Sequence, residues 1–245
     1  MKAYVRLAII LSLTACLSGA LYLGAEAGWG RLAPVEMSMA DGSDQPQLFA
    51  RIQTSLQKEL KNYQGKWLWQ ARLSEVLQKV QADRRVRSAR VDRVFPNRLR
   101  VVIEPQQPVM AWADEVGRLF PVATDASLLP ALPLNEVRDM PLLRGKVFKN
   151  DLSLREQAIA LLGALPESGP LARERVAEIS YTQKNGFALM LTQSGIEVRL
   201  GVTEIEKKTE RIAQVLNYLQ DQQLRGRVID ARFAKKVVVR LRNAP

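Results

Sequence analysis

RRVRSARVDRVFPNRLRVVIEPQQPVMAWADEVGRLFPV, residues 84–122, carries the densest run of strand and turn signals in the chain. Ala89 and Val91 alternate with Arg90 and Asp92, the pattern of a half-buried strand. Phe95, Pro96 and Asn97 then supply a turn, with proline pre-setting φ, and Leu99, Val101 and Ile103 share one face of a second strand that Glu104 and Pro105 close. After Pro108 an apolar run, residues 109–113, meets Asp114, Glu115, Val116 and Gly117 and returns through Leu119 and Phe120 as a hairpin with a longer turn. The stretch predicts one connected β-meander that bridges two halves of the molecule.

Working outward toward the N-terminus, Leu73, Val76, Leu77 and Val80 repeat at helical spacing before the meander, and Phe49, Ile52, Leu56 and Leu60 do so earlier, with residues 62–65 breaking the pattern between them. Val35, Met37 and Met39 alternate as a strand ended by Asp41 and Gly42. The first folded part therefore reads strand, helix, helix, strand, strand.

Before it, residues 7–25, LAIILSLTACLSGALYLGA, carry no charge, and a helix of about 20 such residues crosses a bilayer. Lys2 and Arg6 precede the run and Glu26 follows it, which places the N-terminus in the cytoplasm and the bulk of the chain across the membrane. A cleaved secretory signal is the shorter alternative, its apolar region ordinarily about 7 to 15 residues. The Leu13-Thr14-Ala15-Cys16 run also resembles a lipobox, after which a lipoprotein signal is cut. The apolar run continues to Leu23, however, and an uncleaved anchor is the reading adopted here. Ala8, Ser12, Cys16, Ala20, Gly24 and Gly28 recur every fourth position and give that helix a shallow face suited to packing against another helix, although membrane helices are rich in small residues anyway.

Toward the C-terminus, Ser153 with Glu156 reads as a capping box opening a helix whose apolar face is Leu154, Ala158, Leu161, Leu162 and Leu165, ended by Pro166. Strands over residues 176–181, 187–191 and 196–200, joined at Asn185-Gly186 and Ser194-Gly195, predict a three-stranded meander. Thr203 with Glu206 reads as a second capping box, opening a helix with Ile205, Ile212, Val215, Leu216 and Leu219 on one face and stopped near Gly226. Residues 228–233 and 237–241 close the chain as a hairpin turning at Ala234, Lys235 and Lys236.

The order of elements and several phrases resemble the FtsQ/DivIB family of bacterial cell-division proteins. Residues 86–112 look like the family phrase that ends E-x-x-P-x-a-x-W, residues 114–120 like D-x-x-G-x-l-F and residues 141–145 like P-x-L-x-G. Near the C-terminus, residues 195–201 match G-x-x-v-x-L-G, and residues 229–240 match i-D-x-R-y followed by v-a-V-r, with Phe233 in place of the usual tyrosine. That exchange keeps the ring and loses the hydroxyl. The resemblance spans nearly the whole chain and implies an α+β protein: a cytoplasmic tail at 1–6, a transmembrane helix at 7–27, a POTRA domain of β-α-α-β-β order at 33–105 and a β-rich domain with packed helices at 106–245. It further implies an inner-membrane division scaffold enriched at the septum. Its C-terminal domain would hold FtsB- and FtsL-like membrane proteins, and its POTRA domain other divisome proteins. A POTRA-type chaperone serving outer-membrane or secreted proteins is the alternative.

What chemistry the residues permit points the same way. The chain is 245 residues long, 47% apolar, with no histidine and one cysteine, so Ser-His or Cys-His catalysis, a histidine-based zinc site and a disulfide framework within the chain are excluded. Neighbouring carboxylates such as Asp114 with Glu115 or Glu204 with Glu206 fall in turns or first helical turns, where acids stabilise amide ends. No phosphate loop follows a strand, and the sequence predicts no catalysis and no cofactor. The net charge of +11 is spread along the chain. The run Arg84, Arg85, Arg87, Arg90, Arg93, Arg98 and Arg100 lacks interleaved aromatics and reads as outward-pointing side chains of a half-buried sheet, not as a nucleic-acid surface.

The terminal hairpin is where binding is expected. Val237, Val238 and Val239 form a β-branched run arriving at the end of the chain, hence plausibly at the edge of its sheet, and an edge strand invites a partner segment to add as another strand. Lys235 and Lys236 beside it favour an acidic segment, Phe233 offers a ring as an anchor, and Arg232 and Arg240 add to the charge along the strand. The alternative is that these charges only guard the edge against aggregation.

Overall fold

The computed structural model of the chain describes residues 10–16, 18–19, 22, 30–133, 140–233 and 236–242. Residues 10–16, 18, 19 and 22 are helical. The remainder of the predicted anchor lies outside the described residues, among which no helix is long and apolar enough to cross a membrane. Beyond this segment the chain divides into two compact units, Met1–Gln106 and Gln107–Pro245.

The first unit holds β1 (Glu36–Met39), α1 (Pro46–Leu60), α2 (Leu73–Gln81), β2 (Val86–Val94) and β3 (Arg98–Pro105), in the order expected. Its sheet runs β1-β3-β2, with β1 parallel and β2 antiparallel to β3. The central strand follows its sequence alternation: Leu99, Val101 and Ile103 are wholly buried, while Arg98 and Arg100 are exposed. A proline in the first turn starts α1, where a missing amide costs nothing, and Leu48, Ile52, Leu56 and Leu60 line its buried stripe at four-residue spacing. α2 contributes Val76 and Val80 to the same core.

The second unit holds β4 (Pro108–Ala113), β5 (Leu119–Ala123), β6 (Leu142–Arg144), a short α3 (Val147–Asn150), α4 (Leu152–Gly163), β7 (Val176–Thr182), β8 (Gly186–Leu191), β9 (Glu197–Gly201), α5 (Ile205–Asp221), β10 (Gly226–Asp230) and β11 (Val238–Leu241). They form an eight-stranded sheet in the order β11-β10-β9-β8-β7-β6-β4-β5. Phe187, Leu189 and Leu191 of β8 and Val198 and Leu200 of β9 meet Leu154, Ala158 and Leu161 of α4 and Ile212, Leu216 and Leu219 of α5 in one core.

Four expectations are corrected. The stretch 84–122 is not one connected meander: β2 and β3 pair in the first sheet and β4 and β5 in the second, because the prolines flanking Gln106 and Gln107 end one ladder and begin the other. β7, β8 and β9 do form an antiparallel meander, but β6 and β10 extend it on both sides by parallel pairing, so it is the middle of a larger sheet. The cap of α4 is not Ser153. Asp151 stands at the N-cap with extended backbone and accepts from the Leu154 amide at 2.9 Å, which leaves Ser153 inside the helix. Nor does Thr203 cap α5, whose N-cap position is Glu204 at φ +51° with no side-chain cap. Left-handed backbone there replaces the extended geometry that a Thr203 cap requires.

Candidate partner-binding edge

The chain reaches the last hairpin through Gly226, where a side-chain carbon would lie 3.1 Å from Leu219 and 3.2 Å from Ile196. Glycine thus lets β10 pass close under α5 without pressing on these two side chains. β10 then pairs in parallel with β9 and antiparallel with β11, Val228 opposite Arg240, Ile229 opposite Val239 and Asp230 opposite Val238. Paired residues share a face, so Ile229 and Val239 pack toward the core beneath α5, and Asp230 and Val238 lie on the opposite face.

β10 stops at Asp230, earlier than the sequence pattern suggests, and the reason is a side-chain lock at the root of the loop. Asp230 accepts the Arg232 amide at 3.2 Å and its guanidinium at 2.6 and 2.9 Å, while the other end of that guanidinium donates to Asn185 at the β7–β8 turn. The guanidinium holds the Asp230 carboxyl below the usual carboxylate range, and Asp230 raises the Arg232 guanidinium in return. Arg232 thus braces the loop against the neighbouring turn.

Phe233 is 44% exposed, with the Lys236 ammonium 5.2 Å from its ring centre. Its ring is presented to solvent, not buried. Ala234 and Lys235 lie outside the described residues. Val237 and Val239 are partly buried against the core, and Val238 is exposed.

β11 is the end of the strand order, and among the described residues no strand lies beyond it. Arg242 donates its amide toward β10, to the Arg225 carbonyl at 2.7 Å. By the two-residue alternation of a strand, the amides of Val239 and Leu241 point away from the sheet. Beside that row runs an apolar groove of about 390 Å³ lined by Val215, Tyr218, Leu219, Leu224, Val239 and Leu241. Tyr218 is 60% exposed and Leu241 47%. The far edge of the sheet is different: the chain after β5 folds back, Leu129 donating to Pro121 at 2.8 Å and Leu132 to Leu119 at 3.0 Å. Among the described residues, one margin is covered by the chain itself and the other is not.

The pattern of cell division protein FtsQ/DivIB, C-terminal, matches residues 110–232, and that of the POTRA domain, FtsQ-type, matches residues 52–104. The chain belongs to the FtsQ/DivIB family. It is similar to the cell division protein FtsQ of Geobacter sp. (strain M21), 29% identical over 157 residues that cover 61% of this chain and 57% of that one. It is also similar to the FtsQ proteins of Geotalea daltonii, 23% identical over 207 residues covering 78% and 74%, and Syntrophotalea carbinolica, 24% identical over 184 residues covering 72% and 64%. The match thus spans little more than half the length of the Geobacter relative. The first unit is a POTRA domain of the FtsQ type, and the second is the family's β-rich domain with its helices. β11 lies past the residues that the FtsQ/DivIB pattern covers.

Other predicted residues fall elsewhere. Of the small-residue face, Ser12 and Cys16 are exposed on the N-terminal helical segment, while Ala8, Ala20, Gly24 and Gly28 lie outside the described residues. The basic run is largely satisfied from within: Arg85 pairs with Asp83, Arg87 with Glu104, Arg90 with Asp92 and Arg98 with Glu36, and Arg93 donates to the Leu68 and Ala71 carbonyls. The groove was not foreseen, nor was Lys208, buried in α5 with its ammonium donating to the Leu200 carbonyl at 2.8 Å. Its signal in the sequence is faint, since it stands three residues after Ile205 and four before Ile212 on the apolar face.

Proposed function

We propose that this chain is a non-enzymatic scaffold of the bacterial divisome, held in the inner membrane by residues 7–25 with its N-terminus in the cytoplasm, and that β11 takes up a segment of an FtsB- or FtsL-like partner as a further strand. The observation that carries this reading is the open β11 margin with its outward Val239 and Leu241 amides beside the apolar groove under α5. A strand adding there gains main-chain bonds, and an apolar side chain or short helix following it gains the groove. Lys236 at the head of the strand and Arg240 within it favour an acidic segment, and Phe233 offers a ring at the loop.

The membrane part of the reading is supported by side chains that suit lipid. Ile10, Leu11 and Leu13 are mostly exposed, and the hydroxyls of Thr14 and Ser18 donate back to the Leu11 and Ala15 carbonyls within the helix, as a hydrocarbon environment demands. Charge before the apolar run and not directly within it supports the cytoplasmic N-terminus.

A photo-crosslinker placed at Val238 or Leu241 in living cells, followed by identification of the captured chain, tests the proposal. Capture of a small single-span division protein at these positions, and none from a control at Leu128 on the covered margin, is the expected result. Equal capture from both margins, or capture from neither while the protein remains at the septum, overturns it.

A further inference from the structure

The POTRA unit carries an aromatic platform that the division interface leaves unused. Trp67 and Trp69 stack with ring centres 5.2 Å apart and planes 15° from parallel, and Trp69 is 65% exposed. They pack over Gly30, on the segment that follows the apolar N-terminal run. Gly30, at φ +85°, passes so close beneath them that a side-chain carbon would lie 3.1 Å from Trp67 and 3.2 Å from Trp69. The two segments are fastened as a short ladder: Leu68 donates to the Gly30 carbonyl at 2.7 Å, Leu32 to Lys66 at 2.8 Å and Gly65 to Leu32 at 2.9 Å.

Position and charge decide what covers this surface. The uncharged run ends at Ala25, and five residues of fully extended chain reach at most about 18 Å. Gly30, and with it the indole pair, therefore stays within that distance of the point where the chain leaves the bilayer. One cation lies against the platform, the Arg31 guanidinium 5.9 Å from the Trp67 ring centre, and exposed Lys66 precedes Trp67 in the chain. A flat, amphipathic indole surface with Arg31 against it and Lys66 beside it in the chain suits the headgroup layer, where Trp is enriched and Lys and Arg meet lipid phosphates.

We propose that the Trp67–Trp69 platform, with Arg31 and Lys66, rests in the anionic headgroup layer of the bilayer that residues 7–25 enter, so that the POTRA domain is seated on the membrane and does not swing freely from its anchor. This inference rests on the membrane anchor proposed above. The test uses the full chain carrying Trp29→Phe, reconstituted in phosphatidylcholine vesicles containing phosphatidylglycerol, with and without bromine on the acyl carbons nearest the glycerol. Brominated lipid is expected to quench tryptophan emission. Further replacement by Trp67→Phe and Trp69→Phe, which leaves only the buried Trp112, is expected to abolish the quenching, and Lys66→Glu, at an exposed position, to weaken it. Far-UV circular dichroism checks that each variant is folded. Unchanged emission in brominated vesicles, with the chain floating with them in high salt, overturns the platform's lipid contact while leaving the anchor intact. Failure to float overturns the anchor itself and this inference with it.

Discussion

Asp230 and Arg232 fasten the terminal loop, and their ion pair has a definite pH signature. Because Arg232 holds the Asp230 carboxyl below its unfolded value, the contribution is present above that value, near 4, and is lost as pH falls through the folded one. Asp230→Asn is expected to cost about 1 kcal/mol at neutral pH and to flatten the acid limb of the stability profile. Urea unfolding at several pH values measures both, and an unchanged acid limb would show that the pair does not secure the loop. Phe233 is different, an exposed ring that the proposed interface would cover. Phe233→Ala is expected to leave folding unchanged and weaken partner capture by about 1 to 2 kcal/mol, within the range of a moderate contact residue. Titration calorimetry against the FtsB-like segment decides this, and equal affinity removes the ring from the interface. The Asp-x-Arg spacing stands in the sequence as part of the family phrase, but the ion pair it forms is not read from it, since Arg232 is assigned there to partner binding. Lys208 is not legible either, because its acceptor, the Leu200 carbonyl, is brought near only by the turn into α5.

Among the elements, β11 has two unlike faces of backbone. The Val239 amide points outward and that of Val238 toward β10, so proline should act differently at neighbouring positions. Val239→Pro is expected to keep the fold, as proline is tolerated where an edge amide faces solvent, and to weaken partner binding at least about tenfold, the equivalent of 1.4 kcal/mol. Val238→Pro is expected to undo the β10–β11 pairing and lose binding together with protection of β10 amides from hydrogen exchange. If the two variants behave alike in both measurements, the assigned alternation is wrong. The helices and most strands were legible, since their apolar spacing is local. The helix starts were less so. Ser153 with Glu156 and Thr203 with Glu206 satisfy the capping pattern in letters, yet Asp151 and the left-handed Glu204 set the actual entries. The parallel pairings of β6 and β10 were invisible for a related reason, since the segments they join are far apart in sequence.

For the whole molecule, the decisive feature is that two hairpins adjacent in sequence belong to different sheets. Each unit has its own buried cluster, Leu99, Val101 and Ile103 with α1 and α2 in one, and Phe187, Leu189 and Val198 with α4 and α5 in the other. A fragment of residues 107–245 is accordingly expected to unfold cooperatively by itself, at a temperature close to that of the same unit in a fragment of residues 31–245. Loss of cooperative unfolding in the fragment would show that the second core depends on the first. The hairpins themselves could be read from residues 84–122. Their separation does not follow from the alternation, which serves either sheet; only the family resemblance, with its boundary at 105/106, implies it. The unequal margins of the larger sheet carry one more consequence. Among the described residues, a sheet closed by its own chain at β5 can lengthen only past β11. Two molecules that meet by their β11 strands use up the one free side each has, so growth of this sheet ends at a pair. Surplus chain made without its partner should therefore collect as dimers, not as fibres.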